Sequence, residues 1–444
     1  MKRSATVFGP CLVSGLILSV IAMTTAAAYA SLLYRGPASP YAGAGFTAMM
    51  LGTAAAAIFA VLKSKQAGIV SGPDETAAIS LSGLITGMGP VLFRPGISPE
   101  AAAVSVLILS SCASAVSAAV FWFAARYRLG KYVGMIPKSA VQGFVAGAGF
   151  LLLFAGLGLA SGVEDLGLST WPRFALLAGR WPLWAPAVLT AIALYLVPRR
   201  VRHPLAVPAV LATATILFFA IAWTVGHSAA ALRNAGWLFA PPVDGSTIAA
   251  ARMLHGFADQ RWTGLAALLP RIVVVAAVEL ISVLLQISAM REVAGREIDA
   301  DAELRTQSLA NLAGAAVGSA PQVPFISETM LNLRIAGPNR LSSVVLAAGC
   351  VAGAVLGMRV MPWIPVFVLA AVLLYFGIGL VADAAWKPSV LLVAVAVNVL
   401  GFLPGLACGV MLGLAAGYTR PGICKRRIAS LNWRTPAPSF AYRA

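Results

Sequence analysis

Four acidic residues stand in parts of this chain that otherwise read as apolar. Glu279 lies in Val278-Glu279-Leu280-Ile281-Ser282, with apolar runs on both sides. Glu328 belongs to Gly318-Ser319-Ala320-Pro321-Gln322-Val323-Pro324-Phe325-Ile326-Ser327-Glu328-Thr329. Asp74 and Glu75 belong to Ser71-Gly72-Pro73-Asp74-Glu75-Thr76, ahead of an apolar run from Ala77 to Leu84. A carboxylate inside an apolar span is costly, and such residues mark ion and substrate pathways by default. Glu279 otherwise reads as a carboxyl hydrogen-bonded between helices. Asp74 and Glu75 also fit the acids that a helix N-terminus favours.

The backbone around these acids adds to the case. A Pro321-x-x-Pro324 break followed by Ser327-Glu328-Thr329 cannot face lipid, because its freed N–H and C=O groups would go unsatisfied. Such backbone is tolerated at membrane depth where protein buries it or where it lines a cavity. A short helix expected from about Ile326 would aim its free N–H groups and partial positive charge into that cavity. Broken-helix transporters hold anionic groups this way. The Gly72-Pro73 break has the same grammar, and Glu75-Thr76 and Glu328-Thr329 are expected at like points of two halves. Paired interruptions of this kind point to a transporter site. Phe325, Ser327, Glu328 and Thr329, with Asp74, Glu75 and Thr76, form the expected substrate-binding set. Like charges side by side repel, so Glu328 or Glu279 is expected to take up a proton with an anionic substrate.

The elements that must position these groups are membrane helices. The 444 residues are 60% hydrophobic and 11% charged, with a mean hydropathy of +0.88. A soluble domain carries about 25% charged residues. A β-barrel is excluded because its strands would alternate with period two. The net charge of +17 does not indicate nucleic acid, because the basic residues fall in loops between spans. The five cysteines form no CxxC pair and the three histidines no cluster. No disulfide framework, metal site or cofactor is therefore indicated. No P-loop or Ser-His-Asp set is present, so neither ATP drive nor enzyme chemistry is expected.

Spans are expected near 10–33, 41–62, 75–91, 101–125, 137–159, 183–198 and 205–225. A second set falls near 267–290, 303–319, 325–335, 341–358, 363–382, 387–402 and 403–418. The start of the chain imitates a signal peptide, but its apolar run continues past Ala30 to Leu33, so it reads as the first span. With the N-terminus inside, most of the 32 basic residues fall on the cytoplasmic side, as the positive-inside rule requires. Both termini are then cytoplasmic, in a multi-pass protein of the inner (plasma) membrane. The domain expectation is a first repeat at 1–225, an outside linker at 226–266 and a second repeat of opposite topology at 267–418. A short basic tail at 419–444 would touch lipid headgroups.

The run Gly295-Arg296-Glu297-Ile298-Asp299-Ala300-Asp301-Ala302-Glu303-Leu304, then Ala310-Asn311-Leu312-Ala313-Gly314 and Gly318-Ser319-Ala320-Pro321, resembles the SulP family of inorganic anion transporters. Ile136-Pro137 with Gln142-Gly143-Phe144-x-x-Gly147 resembles that family's fifth span, and Gly72-Pro73 its third-helix start. The resemblance implies an all-α polytopic fold of about 14 segments as seven plus seven inverted repeats. Spans 1–4 and 8–11 would form a core domain, and 5–7 and 12–14 a gate. The substrate would sit between the N-termini of short helices 3 and 10, with Ser327 at the family's substrate-side serine. Many members have an arginine after that serine, where this chain has Glu328. The common C-terminal STAS domain is also expected to be missing.

The function implied is secondary active transport of small inorganic or carboxylate anions by alternating access. Sulfate, bicarbonate, chloride and dicarboxylates are the candidates. H+ and Na+ are the coupling ions left open, a homodimer is allowed, and the bilayer is the other partner. Nucleobase–proton symporters share the fold and use a glutamate in span 8 and another in helix 10, a pattern that Glu279 and Glu328 match. A non-transporting scaffold would leave the buried acids as unexplained cost.

Overall fold

The structure is a computed structural model. It describes residues 2–87, 97–129, 138–163, 166–201, 203, 205–238, 268–294, 298–360, 363–382, 384, 387–400, 404–405, 407–409 and 411–412. Residues 239–266 of the expected linker, the Gly295-Arg296-Glu297 start of the motif, the Ile136-Pro137 pair and the tail lie outside these residues. So does most of the span expected at 403–418.

The chain is helical wherever it is described at length. Helix α1 runs Lys2–Leu33 and α2 Ala42–Lys63. Strand β1, Ser71–Pro73, leads into α3, Glu75–Gly87. Then come α4, Pro99–Arg126, α5, Lys138–Ser161, α6, Trp181–Val201, and α7, Ala206–Thr224. The second half has α8, Leu269–Ala294, and α9, Ala300–Ala316. Strand β2, Gln322–Pro324, leads into α10, Ile326–Ile335. Helices α11, Leu341–Val360, α12, Val366–Ala382, and α13, Pro388–Leu400, follow. Six described helices are long and apolar enough to cross a membrane. Helices α3 and α10, with 13 and 10 residues, are not, since a span needs about 20. Helix α9 begins three residues earlier than expected because Asp299 caps it, accepting the Ala302 N–H at 3.1 Å.

The two short strands solve the problem that the proline breaks raise. They pair antiparallel, with Ser71 opposite Pro324, Gly72 opposite Val323 and Pro73 opposite Gln322. Backbone bonds from Phe325 to Val70 (2.9 Å) and from Asp74 to Pro321 (3.0 Å) extend the pairing at both ends. The outer edge of β2 is closed by one side chain. Asn311 accepts the Gln322 N–H at 2.7 Å and donates to the Gln322 C=O at 2.9 Å. The Gln322 side chain reaches Thr53, Ser319 and the Ala320 carbonyl. Helix α2 lies flush on this crossing, because a Cβ on Gly52 would overlap the Ser319 side chain.

The helices pack in two groups. Helix α9 lies along α4 and α2, α11 along α2 and α1, and α8 along α4 and α3. A second group joins α5 to α12 and α13, and α6 to α12 and α7. The groups meet mainly where α1 touches α12 and α3 touches α5. This is the expected core-and-gate arrangement.

Small residues make the gate contact close, as membrane packing requires. A Cβ added to Gly377 would lie 2.8 Å from the Gly149 carbonyl oxygen, and one on Gly149 would lie 3.0 Å from that of Gly377. Gly143 and Gly147 meet Val393 and Val397 in the same way. Gly377→Leu is therefore expected to cost about 1–3 kcal/mol by overpacking. Gly9→Ala, with open space around it, is expected to cost nothing. Thermal unfolding of the two variants in detergent checks the contrast.

Candidate functional site

At the start of α3, Asp74 is fully buried. The Thr76 hydroxyl and the Ala77 N–H both donate to its Oδ2, the latter at 3.1 Å, and the Ser282 hydroxyl donates to its Oδ1 at 3.3 Å. The geometry is that of an N-cap. Thr76 is consumed by the same cap.

The start of α10 is different. Its N-cap position is Phe325, which offers no side-chain oxygen. The Ile326 N–H instead reaches the Gln286 Oε1 at 3.3 Å, and the Ser327 hydroxyl donates to the Glu328 carboxylate. Ser327 is exposed, while Phe325 and Glu328 are half-buried. The Phe325 ring rests on Gly72, where an added Cβ would stand 3.2 Å from it. Thr329 is buried, and its hydroxyl accepts the Val70 N–H at 3.0 Å. That hydroxyl joins the two halves.

The equivalence expected between Glu75 and Glu328 needs correction. Pro73 and Pro324 end their strands, and each helix starts two residues later. Asp74 therefore corresponds to Phe325, Glu75 to Ile326 and Thr76 to Ser327. Glu328 lies two positions further along its helix, about 200° around the axis from the place matching Glu75. The acids are brought together by packing, and their sequence offsets do not match.

Glu279 on α8 is fully buried, and both of its carboxylate oxygens lack a hydrogen-bond partner among the described residues. The Ser117 hydroxyl of α4 faces it closely enough to interact with the carboxylate, although no bond of ordinary geometry forms among the described residues. Asp74 lies within electrostatic reach of both Glu75 and Glu279. One Glu75 oxygen is also buried without a partner. Tyr29 of α1 is fully buried, and its hydroxyl finds no bond among the described residues. Asp74, Glu75 and Glu328 are all within electrostatic reach of it. The Tyr29 ring meets Phe376 of α12 at a centroid distance of 6.3 Å, so the cluster borders the gate. Among the described residues, none of the four carboxylates forms a salt bridge.

Tyr29, Ser117, Ser282 and Gln286 were not among the expected site residues. Two of them had a signal in the sequence. Glu279, Ser282 and Gln286 are spaced i, i+3, i+7, which places them on one face of a helix. Tyr29 and Ser117 are brought to the acids by helix packing.

The arrangement is a buried, acidic cluster with spare oxygens among the described residues, set between two helix N-termini and against a second helix group. Its chemistry suits binding of protons or of a hydrogen-bonding solute. Comparison with known proteins places it in context. The transmembrane domain of a cyanobacterium bicarbonate transporter, BicA, superposes with a TM-score of 0.63 at 19% identity, covering 90% of this chain and 97% of that one. The overall structure of SLC26A9 gives 0.64 at 16% identity, covering 91% and 64%. The murine Slc26a9 anion transporter in the inward-facing state gives 0.62 at 15% identity, covering 92% and 68%. These likenesses establish the fold. The vacuolar basic amino acid transporter VSB1 of Saccharomyces cerevisiae is 22% identical over 314 residues, which are 67% of this chain and 30% of that protein. The chain thus spans about a third of the length of that relative. The sulfate permease family matches residues 10–418, and the chain belongs to that family.

Proposed function

We propose that this protein is a secondary active transporter that carries a small anion by alternating access, with protons taken up on the acid cluster. The observation that carries this reading is the unpaired cluster itself. Among the described residues, Glu279, Glu75 and Tyr29 keep buried polar atoms without partners of ordinary hydrogen-bond geometry at the border of two helix groups. Buried polar groups are normally satisfied, so these are held ready for something that comes and goes. The N-terminus of α10, uncapped by its own side chain, offers N–H groups to an anion. A proton on Glu279 or Glu328 offsets the repulsion that a carboxylate would exert on that anion. The membership in the sulfate permease family and the likeness to BicA and SLC26A9 support the anion class. In this reading the repeats are 1–225 and 267–418 about the linker at 226–266. The protein sits in the plasma membrane with both termini cytoplasmic, and a homodimer is compatible with it.

One observation favours a second reading. The cluster has four carboxyl groups and, among the described residues, no Lys or Arg paired with them. A positively charged amino acid would neutralise that charge directly, and VSB1 is named for such solutes.

Uptake into proteoliposomes tests both. Labelled sulfate, bicarbonate, fumarate, uracil and arginine are offered at neutral and acidic outside pH. Saturable anion uptake that rises with outside acidity supports the first reading. Arginine uptake alone supports the second. Uracil uptake alone would assign the cluster to nucleobases. No uptake of any kind would refute transport of these classes.

A further inference from the structure

A second polar feature shares no residue with the acid cluster. A cavity of about 560 Å³ opens at one end of α2, α4 and α9, lined in part by Lys63, Lys65, Arg128, Asp299, Asp301 and Arg305. Lys65 and Asp299 satisfy each other at 2.8 Å. The Lys65 ammonium and the Ala302 N–H hold the Asp299 carboxyl below its usual range. Lys63, Arg128 and Arg305 have no ion pair among the described residues. Asp301 opposes them, but it lies in the first turn of α9, where the helix dipole offsets its charge. The cavity therefore presents three cations that have no ion pair among the described residues, against the one acid, Asp301, that is likewise without one.

Arg128 supplies a second observation. Helix α4 ends at Arg126 with Tyr127 as its C-cap, and Arg128 follows with φ of 53°. Among the described residues it is the one non-glycine with positive φ. That position after a helix is where glycine is cheapest. An arginine there costs backbone energy that a glycine would save, and its side chain borders the cavity.

The surroundings indicate the kind of ligand. Trp122, Phe123 and Tyr127 at this end of α4 are exposed, as are Leu309 and Leu312 of α9. Leu309 also lines the cavity. Exposed aromatic rings beside basic residues mark the level of lipid headgroups, and basic pockets between helices at that level hold anionic headgroups. We propose that this cavity binds the phosphate headgroup of an anionic phospholipid, whose acyl chains lie on the exposed apolar side chains of α4 and α9. The bound lipid would tie α2, α4 and α9 together. This inference does not depend on which solute the acid cluster carries.

The test is thermal unfolding of the purified full chain in neutral detergent, with added phosphatidylglycerol, phosphatidylcholine or inorganic phosphate. Phosphatidylglycerol is expected to raise the unfolding temperature, and the other two to do so little at matched concentration. Arg128→Gly and Arg305→Gln are each expected to weaken the response roughly five-fold in midpoint concentration, the effect of one lost cation near a lipid surface. Arg128→Gly is also expected to keep or raise the lipid-free unfolding temperature, because glycine relieves the positive φ. A lost response in that variant therefore does not come from misfolding. Equal stabilisation by phosphatidylcholine, or by inorganic phosphate alone, would overturn the proposal. So would a full response in the double variant.

Discussion

Glu279→Gln is expected to remove the acid stimulation of uptake while leaving the protein folded. Glutamine keeps the volume and polarity of the side chain but cannot bind or release a proton in the working pH range. Among the described residues the wild-type carboxyl makes no hydrogen bond of ordinary geometry, with only the Ser117 hydroxyl beside it, so the substitution breaks little that the native state has made. A purely structural carboxyl between helices would behave in the opposite way, losing stability and keeping the pH response of transport. Uptake by the wild type should rise as the outside becomes acidic. Uptake by Glu279→Gln should be flat and, at acidic pH, lower by roughly ten-fold or more, the scale of a typical coupling between two binding events. Parallel measurement of uptake against pH and of thermal unfolding separates the two roles. An unchanged pH profile in both Glu279→Gln and Glu328→Gln would refute proton coupling through this cluster. Ser282→Ala is a useful companion, because it removes a donor to Asp74 and leaves every acid in place.

Much of this site could be read from residue types and breaks. Two proline-bearing interruptions and an isolated glutamate were enough to place short helices and a buried acid, because an apolar bilayer forbids both unless protein covers them. Register was harder to read. Matching Glu75 with Glu328 follows similar letters, whereas the structure makes Pro73 the counterpart of Pro324, because each ends its strand two residues before its helix starts. Thr76 and Thr329 looked like ligands for the same reason that they make good caps and bridges. Their hydroxyls are taken up by Asp74 and by the Val70 amide. Tyr29 carried no signal in the sequence. Its role depends on where α1 crosses α3 and α12, which no local pattern encodes.

The crossing of β1 and β2 should be the least replaceable part of the fold, and Asn311→Leu is expected to show this. Leucine has the same number and branching of side-chain heavy atoms as asparagine, so the change opens no void. Its effect lies in two bonds. The Gln322 N–H and C=O, which turn away from β1, would both lose the buried asparagine side chain that satisfies them. Each orphaned buried backbone group costs about 1–3 kcal/mol, so the pair costs about 2–6 kcal/mol. A typical protein is stable by only about 5–15 kcal/mol. Because β2 leads straight into α10, the same loss would free the helix that carries Ser327 and Glu328. Asn311→Leu should therefore give little monodisperse protein and a strongly lowered unfolding temperature. Leu312→Ala, one residue on and 59% exposed, should stay close to wild type. If the two variants unfold at the same temperature, Asn311 does not hold the crossing, and the short strands must be stable without a partner on their outer edge.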